Sequence, residues 1–118
     1  MEKDDFVKVL EYIENHITEK ISMKELADFA GYSPYYFSKL FSDIYGIPVT
    51  GYIRIRTLQY SVGSLLAGMK VIDVALLYSF ESHEGFTRSF ISRILLEVWR
   101  SMKFHVGNQL VNMVQKLL

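Results

Sequence analysis

The sequence predicts an all-α protein in which two helical hairpins are joined by one long helix. Apolar residues recur at spacings of three and four along most of the chain, as they do on the buried face of an amphipathic helix. Only two of the 118 residues are proline and half are hydrophobic, which is typical of a compact helical protein. A hairpin pattern in the first half also returns after about 50 residues, which indicates an internal duplication.

The first two helices are marked by an amphipathic pattern and by a capping signal. The first helix is expected over Phe6–Ile17, with one apolar face formed by Phe6, Val9, Leu10, Ile13 and Ile17. Ser22 and Glu25 then have the spacing of a capping box, which places the start of the second helix at Met23. This helix, Met23–Ala30, would bury Leu26, Ala27 and Ala30.

The third helix completes a hairpin around a tight turn at Gly31. Ser33 is a suitable N-cap, Pro34 fits the first helical position, and Gly46 is a C-cap. The expected core face consists of Phe37, Leu40, Phe41 and Ile44. A tight glycine turn followed by a helix with a polar outer face is the helix-turn-helix pattern of DNA readers. The segment therefore predicts a DNA-binding unit, with an ordinary αα-hairpin as the alternative.

A longer helix follows the break at Gly46-Ile47-Pro48 and is expected from Val49 or Thr50 to about Leu66. At about 1.5 Å per residue its roughly 16 to 18 residues would span about 25 Å. The expected core positions are Ile53, Leu58, Val62, Leu65 and Leu66. Gly63 lies inside this helix and costs about 1 kcal/mol relative to alanine, so we expect another helix to approach closely there.

The hairpin pattern then repeats in the second half of the chain. One helix face is formed by Val71, Val74, Ala75 and Tyr78. A turn at Phe80-Glu81-Ser82 leads to a second helix that would bury Phe86, Phe90 and Ile94. Because a chance hairpin is not expected twice at this period, the repeat favours DNA binding.

Composition excludes several other classes of protein. The absence of cysteine excludes disulfides and thiolate metal sites. The N-terminus is charged from its second residue, unlike a signal peptide, and no apolar run reaches the roughly 20 residues of a membrane span. We therefore expect a cytoplasmic protein. No phosphate loop or nucleophile–base pair is present, and the three histidines are too scattered for a zinc site. No enzyme activity, metal or cofactor is expected, although His83 lies close in sequence to Glu81 and Glu84.

The charge is zero overall but is unevenly distributed. Residues 1–28 carry eight acids and four lysines, a net charge of −4, whereas residues 29–118 carry five acids and nine bases, a net charge of +4. An acidic first helix that faces away from a moderately basic remainder can still bind phosphates. We expect DNA affinity to be modest.

From about Phe6 to Phe90 the chain resembles the DNA-binding domain of the AraC/XylS-type transcriptional regulators. The matching stretches are LADFAGYSPYYFSKLFSDIYGIPVTGYIRIRTLQ and IDVALLYSFESHEGFTRSF. The resemblance implies seven helices in two homeodomain-like helix-turn-helix lobes, with residues 1–48 as the first lobe, 49–67 as the linker helix and 68–118 as the second lobe. It also implies two recognition helices about one DNA turn (roughly 34 Å) apart, so that a monomer reads two adjacent half-sites.

The same resemblance implies which side chains contact DNA. In the first lobe, bases would be contacted by Tyr35, Ser38 and Lys39, and phosphates by Ser33, Tyr36 and Ser42. In the second lobe the corresponding residues are His83, Glu84, Gly85, Thr87 and Arg88. Arg54 of the linker helix would touch the DNA backbone or hold the lobes together. Chemically, Arg88 suits guanine O6/N7, Tyr35 a thymine methyl, and Glu84 the cytosine N4 amine.

Simpler interpretations of these residues remain open. Tyr35 and Tyr36 are alternatively exposed aromatics, and Lys39 is alternatively a solvated lysine. Arg54 and Arg56 are alternatively ion-pair partners of Asp43, Asp73 or Glu81, each pair contributing little at a surface.

After Phe90 the sequence departs from the family. The expected proline is absent and Gly107 comes too late in ISRILLEVWRSMKFHVGNQLVNMVQKLL. A shifted reading frame is the first hypothesis, with a gene remnant or true divergence as alternatives. Apolar residues in this tail suit an amphipathic helix that covers the second lobe or drives self-association: Leu95, Leu96, Val98, Trp99, Met102 and Val106.

These observations predict a sequence-specific DNA-binding transcriptional regulator whose partner is double-stranded DNA, with RNA polymerase as a further candidate partner. The chain begins at Met1 just before the first helix, so no N-terminal sensor domain is expected. One rival is a helical protein-interaction module, or a degenerate regulator fragment with impaired DNA binding, which the zero net charge and the tail favour. The other rival, an enzyme, lacks a pattern of convergent polar residues.

Overall fold

The computed structural model describes the backbone of residues 2–94 and the side chains of residues 6–92. All regular elements in this part of the chain are helices, as predicted, and it contains no strand. Its elements are α1 (Glu2–Asn15), α2 (Met23–Ala30), α3 (Pro34–Tyr45), α4 (Val49–Leu66), α5 (Val71–Leu77), α6 (His83–Ser89) and a π-helical turn (Phe90–Ile94). No helix in residues 2–94 is long and apolar enough to cross a membrane. The helix expected over Leu95–Val106 lies outside the described residues.

The described residues form two compact units, with the division between Arg56 and Thr57 inside α4. The first unit is built around Phe6 of α1, which is fully buried. The Phe6 ring centroid lies 5.3 Å from that of Phe37 and 6.0 Å from that of Phe41. The same core contains Val9, Ile13, Ile17, Leu26, Ala27 and Val49. Leu40 and Ile44, expected in the core, are only half-buried.

The connection from α1 to α2 confirms the predicted capping box. Ser22 Oγ accepts from the Glu25 N–H at 3.1 Å, and the Ser22 N–H donates to Glu25 Oε1 at 3.3 Å. The Tyr12 hydroxyl donates to the other carboxylate oxygen. This bond and the one from Ser22 lower the pKa of Glu25. The network therefore stabilises the fold above the ordinary glutamate pKa, and that contribution is lost as the pH falls through the lowered value.

The first half of α4 is linked to α1 by a bidentate ion pair between Arg56 and Glu14. Arg56 Nε lies 2.9 Å from Glu14 Oε2, and Arg56 Nη2 lies 2.6 Å from Glu14 Oε1. Both side chains are about one-third exposed or less, so solvent screens this pair less than it would screen a surface pair. The sequence had suggested Asp43, Asp73 or Glu81 as partners of Arg56, and Glu14 was not among them.

The second unit has its own core, formed by α4, α5 and α6. Its buried apolar residues are Leu58, Val62, Leu65, Val71, Val74, Ala75, Phe86 and Phe90. The Phe86 ring lies edge-on to Phe80 at a centroid distance of 5.0 Å and lies 5.8 Å from Phe90. The predicted apolar face of α5 is confirmed, with Tyr78 half-buried beside it. The side chain of Ile94 lies outside the described range.

The two hairpin turns have the same backbone geometry. Gly31 has φ 82°, and Ser79, at the matching place after α5, has φ 62°. In each turn the next residue's N–H donates at 2.9 Å to an alanine carbonyl in the preceding helix, Ala27 or Ala75. This bond is characteristic of a Schellman helix end. The predicted duplication therefore extends to the hydrogen bonds of the turns, although Ser79 adopts a conformation that favours glycine.

The expectation of a close helix contact at Gly63 is wrong for the described residues. A methyl group built at Gly63 would meet no atom within 4 Å, and the residue is exposed. Its backbone is ordinary α-helix, so neither packing nor conformation requires glycine there.

Replacing Gly63 with alanine is therefore expected to raise the free energy of unfolding by about 0.5–1 kcal/mol, because alanine loses less backbone entropy in a helix. Urea denaturation followed by circular dichroism measures the change. Gly31→Ala is the matched control, since its surroundings are equally open but its φ is 82°. That variant should be less stable than the parent, and a destabilised Gly63→Ala protein would show that another part of the chain packs there.

Candidate nucleic-acid interface

Helices α3 and α6 match position by position at an offset of 49 residues (33 and 82, 37 and 86, 41 and 90). Each is capped by a serine: Ser33 Oγ accepts from the Tyr36 N–H at 3.3 Å, and Ser82 Oγ accepts from the Gly85 N–H at 2.9 Å. Two phenylalanines are completely buried at matching positions: Phe37 and Phe41 in α3, and Phe86 in α6 with Phe90 directly after it. Because the cap and the buried rings orient each helix, the same face of both helices points toward solvent.

The residues left on the outer faces form two equivalent triplets. On α3 they are Tyr35, Ser38 and Lys39; on α6 they are Glu84, Thr87 and Arg88. Positions i, i+3 and i+4 lie on one helical surface, so each triplet forms a continuous patch. The two helices thus present different chemistry from the same scaffold.

On α3 the adjacent residues Tyr35 and Tyr36 differ in solvent exposure. Tyr35 is 80% exposed, whereas Tyr36 is 45% exposed and its ring lies 5.4 Å from that of Tyr32. Ser38 and Ser42 are half-buried. Ser33 uses an oxygen lone pair for its cap, so its O–H proton remains able to donate to a phosphate. Of the two tyrosines, Tyr35 is therefore the more available to a ligand.

The cation of α3 is paired within its own helix. Lys39 Nζ lies 3.3 Å from Asp43 Oδ2, one turn later, and both side chains are exposed. Arg88 of α6 is also exposed and forms no ion pair with another residue in the described range.

The remaining predicted contacts of α6 are close to its N-terminus. Glu84 is exposed and His83 is half-buried. A Cβ at Gly85 would lie 3.1 Å from Ser82 Oγ, so a larger residue would push against the capping hydroxyl. Ser82 is equivalent to Ser33 but was not among the predicted DNA contacts, although the 49-residue offset identifies it.

Thr87 differs from its neighbours because its hydroxyl is buried. The Thr87 Oγ1 atom has no hydrogen-bond partner among the described residues. A buried hydroxyl without a partner loses its hydration and gains nothing in exchange. In this rotamer the hydroxyl does not face the outer surface of α6, and a DNA contact through it stays a prediction.

Replacing Thr87 with valine is expected to raise the free energy of unfolding by about 1 kcal/mol, because a methyl group replaces an unsatisfied hydroxyl of similar shape. DNA affinity should not change. Thermal unfolding and a binding titration check both expectations, with Thr50→Val, an exposed threonine on α4, as the control for β-branched propensity. Reduced affinity in Thr87→Val alone would show that the hydroxyl contacts DNA after all.

Beyond the two triplets, the structure places Arg54 on the exposed surface of α4, without an ion pair inside the first unit.

Within residues 2–94 no group of three His, Asp or Glu side chains could hold a metal ion. The π-helical turn begins at Phe90, the residue after which the sequence departs from the family pattern. No sequence signal anticipated this turn.

Comparison with known proteins agrees with this geometry. The family model described as "Helix-turn-helix domain" matches residues 26–95. Among curated relatives, the uncharacterized HTH-type transcriptional regulator YbfP of Bacillus subtilis is 38% identical over 84 residues, which are 70% of this chain and 28% of that protein. The Right origin-binding protein of Escherichia coli K12 is 36% identical over 83 residues, 70% of this chain and 29% of that protein.

A shorter relative, the transposon Tn10 TetD protein of Escherichia coli, is 35% identical over 83 residues, which are 70% of this chain and 60% of that protein. The chain thus spans less than a third of the length of the first two relatives. The matched region contains most of α2, all of α3 to α6 and both outer triplets. The chain belongs to the AraC/XylS family, of which it carries the DNA-binding domain with two helix-turn-helix motifs, and this is not an enzyme family.

Proposed function

We propose that this chain is a sequence-specific transcriptional regulator that reads two adjacent major-groove half-sites, one with α3 and one with α6. The observation that carries the proposal is the position-by-position match of these helices, with the same serine cap, the same buried phenylalanines and equivalent outer triplets. A helix of this kind lays its outer face in the major groove. Two such faces in one chain would read two sites.

The chemistry of the triplets assigns each helix a different base preference. Arg88 can donate two hydrogen bonds to guanine O6 and N7, and Glu84 can accept from cytosine N4. Tyr35, at 80% exposure, can pack against a thymine methyl. Ser33 and Ser82 would add phosphate contacts, with Tyr36, Ser42 and Arg54 as further candidates on the first lobe and linker helix. Ser38, Lys39, His83, Gly85 and Thr87 complete the proposed set, Thr87 through atoms other than its buried hydroxyl.

The proposed organisation is a first lobe over residues 1–48, a linker helix over 49–67 and a second lobe over 68–118. Half-sites about one DNA turn, roughly 34 Å, apart would suit such an arrangement. A regulator of this family would act in the cytoplasm, where bacterial DNA lies, with RNA polymerase as a second partner. Self-association through the tail is proposed from sequence alone, because the tail lies outside the described residues.

The test is a binding titration of the whole chain against a randomised duplex pool at two salt concentrations. We expect enrichment of a bipartite site and an affinity that falls as salt rises, because phosphate contacts release counterions. Recovery of one short half-site would remove the second lobe from the proposal. No enrichment at low salt would overturn DNA reading altogether.

A second candidate function, protein interaction, is favoured by the outer surface of α5. Ile72, Leu76 and Leu77 are 51%, 68% and 43% exposed on this short helix. Together with zero net charge, such a surface suits a protein partner better than a polyanion. Association that persists at high salt, in a protein that does not retard DNA, would favour this candidate.

A further inference from the structure

We propose that Asp43 limits the contribution of α3 to DNA binding by holding Lys39 in an ion pair along the helix. The inference rests on the proposed function, because Lys39 belongs to the same interface. Lys39 Nζ and Asp43 Oδ2 are 3.3 Å apart, and the two side chains are 58% and 60% exposed. Asp43 therefore competes directly with a phosphate or a base edge for the lysine cation.

The matched position on the second helix lacks this competitor. At the 49-residue offset Arg88 corresponds to Lys39, and Ser92 corresponds to Asp43. Arg88 is exposed and has no carboxylate partner within the described part of the chain. The duplicated scaffold thus holds Lys39 in an ion pair and leaves Arg88 without one among the described residues, although Glu84 lies one turn before Arg88, and the two helices are therefore unequal readers.

Helix stability does not account for Asp43. It lies two residues before Tyr45, the last residue of α3, where the negative end of the helix dipole disfavours an acid. A base that precedes an acid by four residues is also the less favourable order for an ion pair in a helix. An exposed pair of this kind contributes little to folding. Its effect is therefore expected on an anionic partner, and Asp43 is a positioning residue that acts through Lys39.

The decisive variant is Asp43→Asn in the full chain, which keeps the shape of the side chain and removes its charge. We expect its affinity for a duplex selected by the parent protein to rise about two- to fivefold, the equivalent of one exposed ion pair. The plot of log affinity against log salt should become steeper by about 1, because Lys39 would neutralise one more phosphate. A merely structural role would leave that slope unchanged.

The chain offers a matched control in α2. Lys24 Nζ and Asp28 Oδ2 are 2.9 Å apart at the same spacing, with side chains 79% and 63% exposed. Asp28→Asn changes the net charge equally, so it measures the effect of overall charge, which we expect to be below twofold at a salt concentration near 0.15 M. In a Lys39→Ala background, Asp43→Asn should give no gain.

Equal gains from Asp43→Asn and Asp28→Asn would overturn the inference, since they would show a general effect of charge. A gain that survives Lys39→Ala would also overturn it, because Asp43 would then repel phosphates without acting through the lysine. If the parent protein binds the duplex and Asp43→Asn binds it with the same affinity, this inference alone is overturned. Failure of both proteins to bind duplexes at low salt removes the proposed function together with it.

Discussion

Replacing Arg88 with alanine is expected to weaken binding to the preferred duplex by about 1–3 kcal/mol and to relax the preference at one base pair. The physical reason is the loss of a bidentate donor from an exposed position; Glu84, one turn earlier, lies on the same patch but forms no ion pair with Arg88 in the described chain. Titration of the parent and the variant against the preferred duplex and its single-base substitutions measures both effects. The variant should fold normally, because Arg88 buries no apolar surface that the core requires.

Lys39→Ala is the matched control, since the lysine occupies the equivalent position on α3. Loss of a lysine that touches phosphate should affect all sequences alike and lower the salt slope, but by well under 1 in the parent protein, where the ion pair with Asp43 already limits the phosphate contact of Lys39. Because Asp43 already holds Lys39, we expect a smaller loss of affinity than for Arg88→Ala. Arg88→Ala and Lys39→Ala therefore separate base reading from phosphate binding on one scaffold.

Two results would contradict these roles. Unchanged binding by Arg88→Ala would remove Arg88 from the reading set. A loss confined to particular sequences in Lys39→Ala would make the lysine a base reader, as the family resemblance implies, and the phosphate contact expected here would be wrong.

The local architecture was predictable because its signals are short-range. Ser22 with Glu25, and Ser33 with Pro34, indicate helix starts through hydrogen bonds that span only three residues. Phe37 and Phe86 were assigned to the core from helical spacing, and both are fully buried. The spacing of apolar residues and the capping residues therefore predict the helices and the face that each helix buries.

Pairing between distant residues was not predictable in the same way. Glu14 and Arg56 are 42 positions apart, and no local pattern indicates that Arg56 of α4 pairs with a residue of α1. Gly63 shows the opposite error, because a glycine inside a helix suggests a close contact that the described residues do not make. Such features depend on tertiary packing, which a single sequence does not report.

For the candidate interface, the exposure of the named residues was partly predictable, their contact with DNA stays a prediction, and the state of their side chains was not predictable. The family resemblance identified Tyr35 and Arg88, and both are exposed. It could not reveal that the Thr87 hydroxyl is buried or that Asp43 holds Lys39, because rotamers and ion pairs depend on the surrounding side chains. These two details decide which members of the set are available to a ligand.

Replacing Phe86 with alanine is expected to lower the free energy of unfolding by about 3–5 kcal/mol, the usual cost of removing a fully buried ring. The ring lies between Phe80 and Phe90 at the centre of the second core, so a cavity would open among residues that cannot all collapse into it. Urea denaturation followed by circular dichroism measures the loss. Phe29→Ala, which removes a ring that is 49% exposed, is the control and should cost far less.

The same substitution tests whether Phe86 acts on DNA binding only through the position of α6. This helix has seven residues, too few to persist without packing, so its outer triplet depends on the buried ring. Phe86→Leu keeps most of the apolar volume and should cost about 1–1.5 kcal/mol. It should retain base preference, whereas Phe86→Ala should lose it together with stability. If circular dichroism shows that α6 is lost in Phe86→Ala and the protein still keeps its full base preference, α6 does not read bases. The role assigned to Arg88 would then be wrong as well.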